Sequence, residues 1–497
     1  MGATWLLAAV LAAASRADAA RLCDRCNIVV VSVDPLRADA LGVYGSSRAA
    51  TPNIDALARR GQVFEQAYAQ SCITLTSHIT AFTGLYPENH GVFVQLRDEL
   101  PSGAATVGAV FKAAGYRTLW VGETPGTGTF EPRARFAEGF EELLPAHDAP
   151  PARAWEWAAR HRDESVLIFL HSFRPHAPAV PRSDAYRRLF GREPELTWDR
   201  LQALTYARVA DDPALLFRPE GVARFAALAK EANEAKRWAE AEVLTGDPSL
   251  AHTSFNTLRL RIFWEELDRL PDPEAAARRL YDSVVAETDA DVGEILAGVE
   301  RAKLSRPTMV VLLSHHGEEF KEHGEIQHWQ NYQEVARVPL LFVVPGLKPR
   351  SVPQAVQLVD LPATLTDAVG IGHVWPRDGL SLAPLLAGKS GWKPRAAYTN
   401  CLSNLSLRDE RYTFMHDVQT SPSASPKRFP VPRLTLFDRA NDPGERRDVL
   451  AERPSEAEGL QGALRRLLRS FQRRPASPWQ PGLDERTRQA LVRTGYW

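Results

Sequence analysis

Five short apolar runs constrain the fold of this chain more than any other feature. They occupy residues 28–33, 118–121, 166–170, 309–313 and 340–344. Each run is long enough for a strand and far too short to cross a membrane. Continuous apolar runs of this length are typical of strands that are buried on both faces of a sheet.

Helical patterns separate these runs. They cover residues 53–60, 77–83, 104–114, 152–161 and 275–299. Because strands that alternate with helices favour a sheet covered on both sides, the chain is predicted to fold as an α/β sandwich around a central, mostly parallel sheet.

Two regions differ from this alternating pattern. Residues 184–272 are charged, rich in Ala and Leu and helical in pattern, and they predict a helical insertion, which is either a solvated cap or a lid or partner surface. Residues 395–497 predict a small C-terminal α+β subdomain. Its expected elements are strands at 397–399, 405–415 and 434–437, an exposed loop at 421–426 and a helix at 455–474.

The N-terminus is typical of an export signal. A short apolar run at residues 6–14 precedes Ala17-Asp18-Ala19, so residues 1–19 are interpreted as a signal peptide cleaved near Ala20. A membrane anchor or a buried helix is the alternative, and no later segment resembles a transmembrane helix. We expect a periplasmic or secreted protein, in which Cys23 and Cys26 form a local disulfide or remain two separate thiols.

The charge balance bears on the partner. Sixty Lys and Arg residues oppose 61 Asp and Glu residues, which gives a formal net charge of −1 without a long basic run. This leaves no electrostatic footprint for a nucleic-acid partner. A small-molecule, glycan or lipid substrate that carries an anionic ester remains compatible with the composition.

One segment combines a hydroxyl side chain with the start of a predicted helix. It runs from Ser71 through Thr74 to His78 and ends in Thr83-Gly84. It resembles the sulfatase signature C/S-x-P-S-R followed by T-G, in the alkaline-phosphatase-like superfamily, and counting back from Gly84 aligns Thr74 with the nucleophile. Further blocks follow in the family order, at residues 27–39, 51–55, 171–178, 315–319, 322–328, 337–340 and 436–443.

The resemblance implies a sulfatase-like catalytic domain at residues 27–390 with Thr74, His78 and His176 as catalytic residues. Sulfatases oxidise Cys or Ser to formylglycine, so Thr74 implies an unmodified threonine nucleophile and favours phosphate or phosphonate esters over sulfate esters. His78 stands where sulfatases place an arginine. The alternative is that Thr74 or Ser77 only caps the helix.

The resemblance also implies one divalent metal ion, held by Asp34, Thr74, His315 and His316. Typical sulfatases use Ca²⁺. Here His315 stands where relatives carry an aspartate, and Pro35 replaces a second one, so Zn²⁺ or Mn²⁺ would suit the nitrogen ligands better. The alternative is a pair of histidines that bind no metal.

The expected substrate-binding residues are His176, His323 and His328. Glu123 occupies the place of the lysine in the family's Gly-Lys-Trp-His block, which also argues against a sulfate ester. The predicted function is an exported, metal-dependent hydrolase or transferase. The departures at Pro35, Thr76 and His315 leave a second hypothesis open, a degenerate, non-catalytic relative that binds ligands.

Overall fold

A computed structural model describes most of the chain. The described residues are 21–48, 50–93, 100–101, 103–122, 138–145, 152–211, 252–372, 375, 378–401, 404–417 and 433–472. The predicted signal peptide, the loop at 421–426 and Glu123 lie outside them.

The centre of the fold is a nine-stranded sheet. Its order is β11-β2-β10-β6-β1-β5-β3-β4, and β9 pairs with β2. The strands are β1 (Asn27–Val33), β2 (Gln62–Tyr68), β3 (Arg117–Gly122), β4 (Glu142–Pro145), β5 (Val166–Ser172), β6 (Thr308–Leu313), β9 (Arg337–Val338), β10 (Leu340–Val343) and β11 (Arg350–Gln357). Strands β6, β1, β5, β3 and β4 are parallel neighbours, and β10 is antiparallel to both β2 and β6. The predicted α/β fold with a mostly parallel sheet is confirmed.

All five predicted strands are present, and their bounds differ from the prediction by one or two residues. The apolar runs do not predict strands β2 and β11. In β2, the polar residues Gln62, Glu65 and Gln66 interrupt the apolar pattern. A short hairpin of β7 (Glu319–Phe320) and β8 (Ile326–Gln327) lies outside the main sheet.

The α-helices pack on both faces of this sheet and on a second, C-terminal sheet. They are Pro52–Ala58, Thr74–Thr83, Pro87–His90, Val107–Ala113, Ala152–Arg160, Ala185–Phe190, Trp198–Asp211, His252–Leu267, Pro273–Arg301, Gln333–Ala336, Leu361–Val369, Ala383–Leu386 and Pro454–Ser470. The helix predicted to begin at Ser77 begins at Thr74. In the predicted insertion, residues 185–190, 198–211 and 252–267 are helical, whereas 212–251 lie outside the described residues.

Strand β1 shows how the sheet separates two cores. Its side chains alternate between the faces, as the pleat requires. Val29 and Val31 join a cluster with Tyr281 and Val285 of the Pro273–Arg301 helix. Ile28 and Val30 join the cluster on the other face, which includes Leu75, Ile79 and Phe82 of the Thr74–Thr83 helix. The result is three layers, helix on sheet on helix.

The C-terminal part forms a second sheet. Strands β12 (Ala397–Cys401), β13 (Asn404–Arg408), β14 (Tyr412–Asp417) and β15 (Arg433–Asp438) are antiparallel in that order. The single strand predicted at 405–415 is wrong, because Asp409 closes a turn by accepting a hydrogen bond from the Tyr412 amide at 2.6 Å. Leu460 and Leu464 of the Pro454–Ser470 helix pack on this sheet.

Two disulfides are present among the described residues. One joins Cys23 to Cys26, as one of the two alternatives expected, and the other joins Cys72 to Cys401. The second ties the segment before Thr74 to the end of β12. In the described part of the chain, we find no helix with the length and apolar character that a membrane crossing requires.

Candidate functional site

Three neighbouring parallel strands bring polar side chains together at their carboxyl ends. Asp34 follows β1, His171 is the penultimate residue of β5, and His315 follows β6 by two residues. Ser32 of β1 pairs with His171 on one side and with Leu313 on the other. Because the carboxyl ends of parallel strands share one edge of the sheet, these groups converge at the usual ligand side of an α/β fold.

Hydrogen bonds fix the segments that carry these residues. The Asp34 amide donates to the Ser172 carbonyl at 2.8 Å. The Leu36 amide donates to Ser314 Oγ at 2.9 Å, and Ser314 Oγ donates to the His316 carbonyl at 2.6 Å. The loops after β1, β5 and β6 are therefore coupled through backbone and hydroxyl groups, which holds the side chains in one arrangement.

Thr74 is the first residue of its helix. Its Oγ1 lies 3.1 Å from His316 Nε2 and 3.3 Å from Asp34 Oδ2. The residue before it, Ile73, offers no side-chain cap, and Ser77 donates its hydroxyl to the His315 carbonyl at 2.7 Å. Among the described residues, neither the Thr74 nor the Ser77 hydroxyl caps the helix, which leaves its first-turn amides to a ligand or to solvent.

Asp34, His315 and His316 form a fully buried group beside Thr74. Asp34 Oδ1 lies 3.2 Å from His315 Nε2 and 3.5 Å from His316 Nε2. Burial alone would raise the pKa of Asp34, but the two histidines hold that pKa well below its ordinary value. His316 Nδ1 donates to the Gly317 carbonyl at 3.0 Å, which leaves the ring's lone pair on Nε2, facing Asp34 and Thr74.

This group fits a divalent cation. Asp34 Oδ1 and both ring nitrogens of His315 make no hydrogen bond with any described residue, although they are buried. Unpaired buried polar atoms are costly, and a cation at their centre would satisfy them. A set with one carboxylate and two imidazoles suits Zn²⁺ or Mn²⁺ better than Ca²⁺, which prefers oxygen ligands.

His78 contacts Thr74 through the main chain. Its Nδ1 donates to the Thr74 carbonyl at 3.0 Å, whereas the Thr74 hydroxyl points to Asp34 and His316. The His78 ring packs 4.0 Å from the His315 ring and 4.5 Å from the His171 ring, measured between centroids. His78 is thus brought to the cluster, and it bonds the Thr74 carbonyl and not the hydroxyl.

Sequence reasoning missed His171 as a site residue. Its Nε2 lies 3.9 Å from Asp34 Oδ2. Burial, then the neighbouring His315, lowers the pKa of both His171 and His78 well below the usual value, so both rings are neutral at pH 7. The available signal was a histidine at the end of a buried strand, inside a block already aligned with the family.

His328 and His176 extend the cluster on the other side of His316. The His328 ring lies 4.3 Å from the His316 ring and 5.6 Å from the His176 ring. His328 Nδ1 is hydrogen bonded to Glu318 Oε1 at 3.2 Å. Burial raises the pKa of Glu318 to about 8 and, together with His176, lowers the pKa of His328 to about 3. Glu318 was also missed, although it stands two residues after His316.

His323 is not part of this cluster. Its Nε2 lies 3.3 Å from Glu334 Oε2, and its ring stacks on Tyr332 with centroids 3.5 Å apart. Tyr332 in turn contacts Phe437 of the C-terminal sheet. The structure therefore brings Asp34, Thr74, His78, His176, His315, His316 and His328 together, and it places His323 against Tyr332 and Glu334.

Comparison with known proteins agrees with this fold. A model of the sulfatase family matches residues 26–371. The chain is 23% identical over 469 residues to a delta 4,5-hexuronate-2-O-sulfatase of Bacteroides thetaiotaomicron, covering 87% of this chain and 86% of that protein. It is 25% identical over 392 residues to human iduronate 2-sulfatase, covering 69% and 64%. The solved phosphonate monoester hydrolase of Agrobacterium radiobacter superposes with a TM-score of 0.61 at 20% identity, covering 89% and 95%.

Proposed function

Because this chain belongs to the sulfatase family, we propose that it is an exported, metal-dependent hydrolase or transferase of phosphate, phosphonate or sulfate esters that uses Thr74 as its nucleophile. One observation carries the proposal. The Thr74 hydroxyl stands at an uncapped helix start, 3.1 Å from His316 Nε2 and 3.3 Å from Asp34 Oδ2. Asp34 Oδ2 and His316 Nε2 are both hydrogen-bond acceptors. The Thr74 hydroxyl therefore supplies the proton in these contacts, and this is the proton that a nucleophile must lose.

Each member of the cluster has a role in this proposal. Asp34, Thr74, His315 and His316 would hold the metal ion, which would lower the pKa of the coordinated Thr74 hydroxyl and offset negative charge on the ester. The amides of the Thr74–Thr83 helix start would receive the ester's non-bridging oxygens. His78 positions Thr74 by holding its carbonyl at 3.0 Å.

The leaving group needs a proton donor on the opposite side of the reacting centre. His176 is half-buried and lies next to His328, whose Nδ1 is hydrogen bonded to Glu318. Thr74 would release its hydroxyl proton to solvent, and its Oγ1 would form a bond to phosphorus or sulfur as the ester bond breaks. The departing oxygen would take its proton from His176. Water would then release the covalent intermediate, or another alcohol would accept the group.

The nature of residue 74 bears on the substrate. Threonine has no route to formylglycine in this family, so the attacking group would be an ordinary alkoxide. The structural neighbour from Agrobacterium is named for phosphonate monoesters, and the two sequence relatives are named for sulfate esters. We expect phosphorus esters to be turned over faster than aryl sulfates.

The test compares two neighbouring threonines. Thr74→Ala should abolish turnover of nitrophenyl phosphate mono- and diesters and of phosphonate esters. Thr76→Ala is the matched control, because Thr76 is equally buried and its hydroxyl donates to the Phe93 carbonyl at 3.2 Å. It should keep most of the activity.

Three results would count against the proposal. A clear preference for aryl sulfate would overturn the substrate class. Equal activity of Thr74→Ala and the wild type would overturn the nucleophile. If no ester is turned over with any divalent metal, the non-catalytic binding hypothesis replaces the enzyme. Export is tested separately by N-terminal sequencing, which should begin near Ala20.

A further inference from the structure

We propose that His78, His171 and His315 form a second metal site, specific for a borderline-soft cation such as Zn²⁺, beside the site of Asp34, His316 and Thr74. All three side chains are buried, and only His315 is also among the metal ligands that the family resemblance implies.

The first argument is convergence. His78, His171 and His315 each offer a ligand atom, and these atoms all lie within 4.8 Å of one another. They come from three different elements, namely the Thr74–Thr83 helix, β5 and the loop after β6. All three side chains are buried. Three imidazoles gathered from separate elements match the protein ligands of well-known zinc sites.

The second argument is the orientation of His78. Histidines that bind metal through one nitrogen usually donate the other N–H to a carbonyl or carboxylate, which fixes the tautomer. His78 Nδ1 donates to the Thr74 carbonyl, so the lone pair is on Nε2. His316 shows the same arrangement with the Gly317 carbonyl. The two histidines therefore present equivalent ligand atoms to two adjacent groups.

The third argument is His315, which belongs to both groups. Its side chain is fully buried, and neither ring nitrogen makes a hydrogen bond with any described residue. One neutral ring supplies one lone pair, so His315 in the three-histidine group would leave Asp34, Thr74 and His316 to the first ion.

Asp34 lies between the two groups and supplies the negative charge for both. Its Oδ1 is 3.2 Å from His315 Nε2, and its Oδ2 is 3.9 Å from His171 Nε2. A carboxylate shared in this way is how two cations can occupy adjacent sites without excessive repulsion. Because the remaining ligands are uncharged nitrogens, the second site should reject Ca²⁺ and Mg²⁺.

The competing explanation is a purely aromatic packing cluster, since the Trp120 ring lies 5.9 Å from the His171 ring and 5.3 Å from the Phe169 ring. The two explanations predict different effects when the ring nitrogens of His171 are removed. A phenylalanine at 171 keeps the ring and removes both nitrogens, so packing alone would tolerate it.

The experiment measures metal content of the full-length protein after removal of metal and dialysis against Zn²⁺. The wild type should bind two equivalents. His171→Phe and His316→Phe should each bind one equivalent. The matched control is His161→Phe, which should keep both equivalents, because His161 lies outside the cluster and is hydrogen bonded to Glu164 at 2.7 Å. Replacing Zn²⁺ by Co²⁺ adds a spectroscopic measurement, because loss of His171 should change the visible absorption bands of one of two ions.

One equivalent in the wild type, or two in His171→Phe, would overturn the second site. Should His171→Phe fail to fold, His171→Asn serves in its place, with the same expected loss. Metal content separates this inference from the proposed function, because His171→Phe should lose one equivalent of Zn²⁺ whether or not the protein turns over any ester.

Discussion

Replacing Cys72 and Cys401 together by alanine should destabilise the protein far more than removing the Cys23–Cys26 pair. The Cys72–Cys401 disulfide spans 329 residues, whereas Cys23–Cys26 spans 3. In the chain-entropy model, closing these loops stabilises the folded state by about 6 kcal/mol and about 2 kcal/mol respectively. Measured disulfides deliver about 2–4 kcal/mol, so the larger figure is an upper limit.

The lost stabilisation energy can be converted into a decrease in melting temperature. Unfolding entropy of about 2.1 cal/mol/K per residue gives about 1 kcal/mol/K for a chain of 497 residues. Loss of Cys72–Cys401 should therefore lower the melting temperature by up to about 6 °C, and loss of Cys23–Cys26 by up to about 2 °C. Both cysteines of the long-range pair are fully buried, and alanine removes only a sulfur atom from each.

The assay is thermal unfolding followed by circular dichroism, with and without a reducing agent. The wild type under reduction should approach the double variant, and the double variant should not respond to the reductant beyond the effect on Cys23–Cys26. An equal shift for the two double variants, or a smaller one for Cys72–Cys401, would refute the loop-closure reasoning. Turnover should fall with the same change, because Cys72 precedes Thr74 by two residues.

Two further predictions concern single carboxylates. His315→Asp should tighten Ca²⁺ binding by about tenfold or more, because it adds a negative charge beside Asp34. Isothermal titration calorimetry would measure the affinity. An unchanged Ca²⁺ affinity would show that His315 does not face a metal. Asp438→Asn should cost about 1 kcal/mol at pH 7, because Asp438 accepts two hydrogen bonds from the half-exposed Arg411, at 2.6 and 2.9 Å. The hydrogen bond from Arg411 is the main cause that lowers the pKa of Asp438 to about 2. Stability gained through a lowered pKa is present above the unfolded value of about 4 and is lost as the pH falls toward 2. Denaturant unfolding should show the gap between wild type and variant closing over that range, and a gap that is constant with pH would contradict the assignment.

The sequence was sufficient where one interaction dominates. The short apolar runs predicted β1, β3, β5, β6 and β10, because burial on both faces leaves few polar residues to interrupt the pattern. Strand β2 was missed since its exposed Glu65 and partly exposed Gln66 break that pattern. The hairpin of β13 and β14 was merged into one strand, since the turn closed by Asp409 was not recognised from composition.

The sequence likewise predicted some residues of the candidate site and not others. The aligned blocks predicted one metal site formed by Asp34, Thr74, His315 and His316, and these residues lie close together. The roles of His171 and Glu318 depend on ring orientation and burial, which no spacing along the chain reveals. His323 illustrates the converse, because a residue inside an aligned block points to Tyr332 and Glu334 and not to the cluster. The partner of Cys72 could not be deduced either, since four cysteines allow several pairings.

The adjacent ends of β5, β1 and β6 have a consequence for the evolution of such a protein. Neighbouring strands are held about 4.8 Å apart by the backbone ladder, so the starting points of Asp34, His171 and His315 do not depend on the side chains they carry. Aspartate and histidine codons differ by a single base. A lineage with this sheet can therefore exchange an oxygen ligand for a nitrogen ligand in one mutational step without disturbing the strands. Metal preference can change gradually in such a lineage while the architecture is inherited intact.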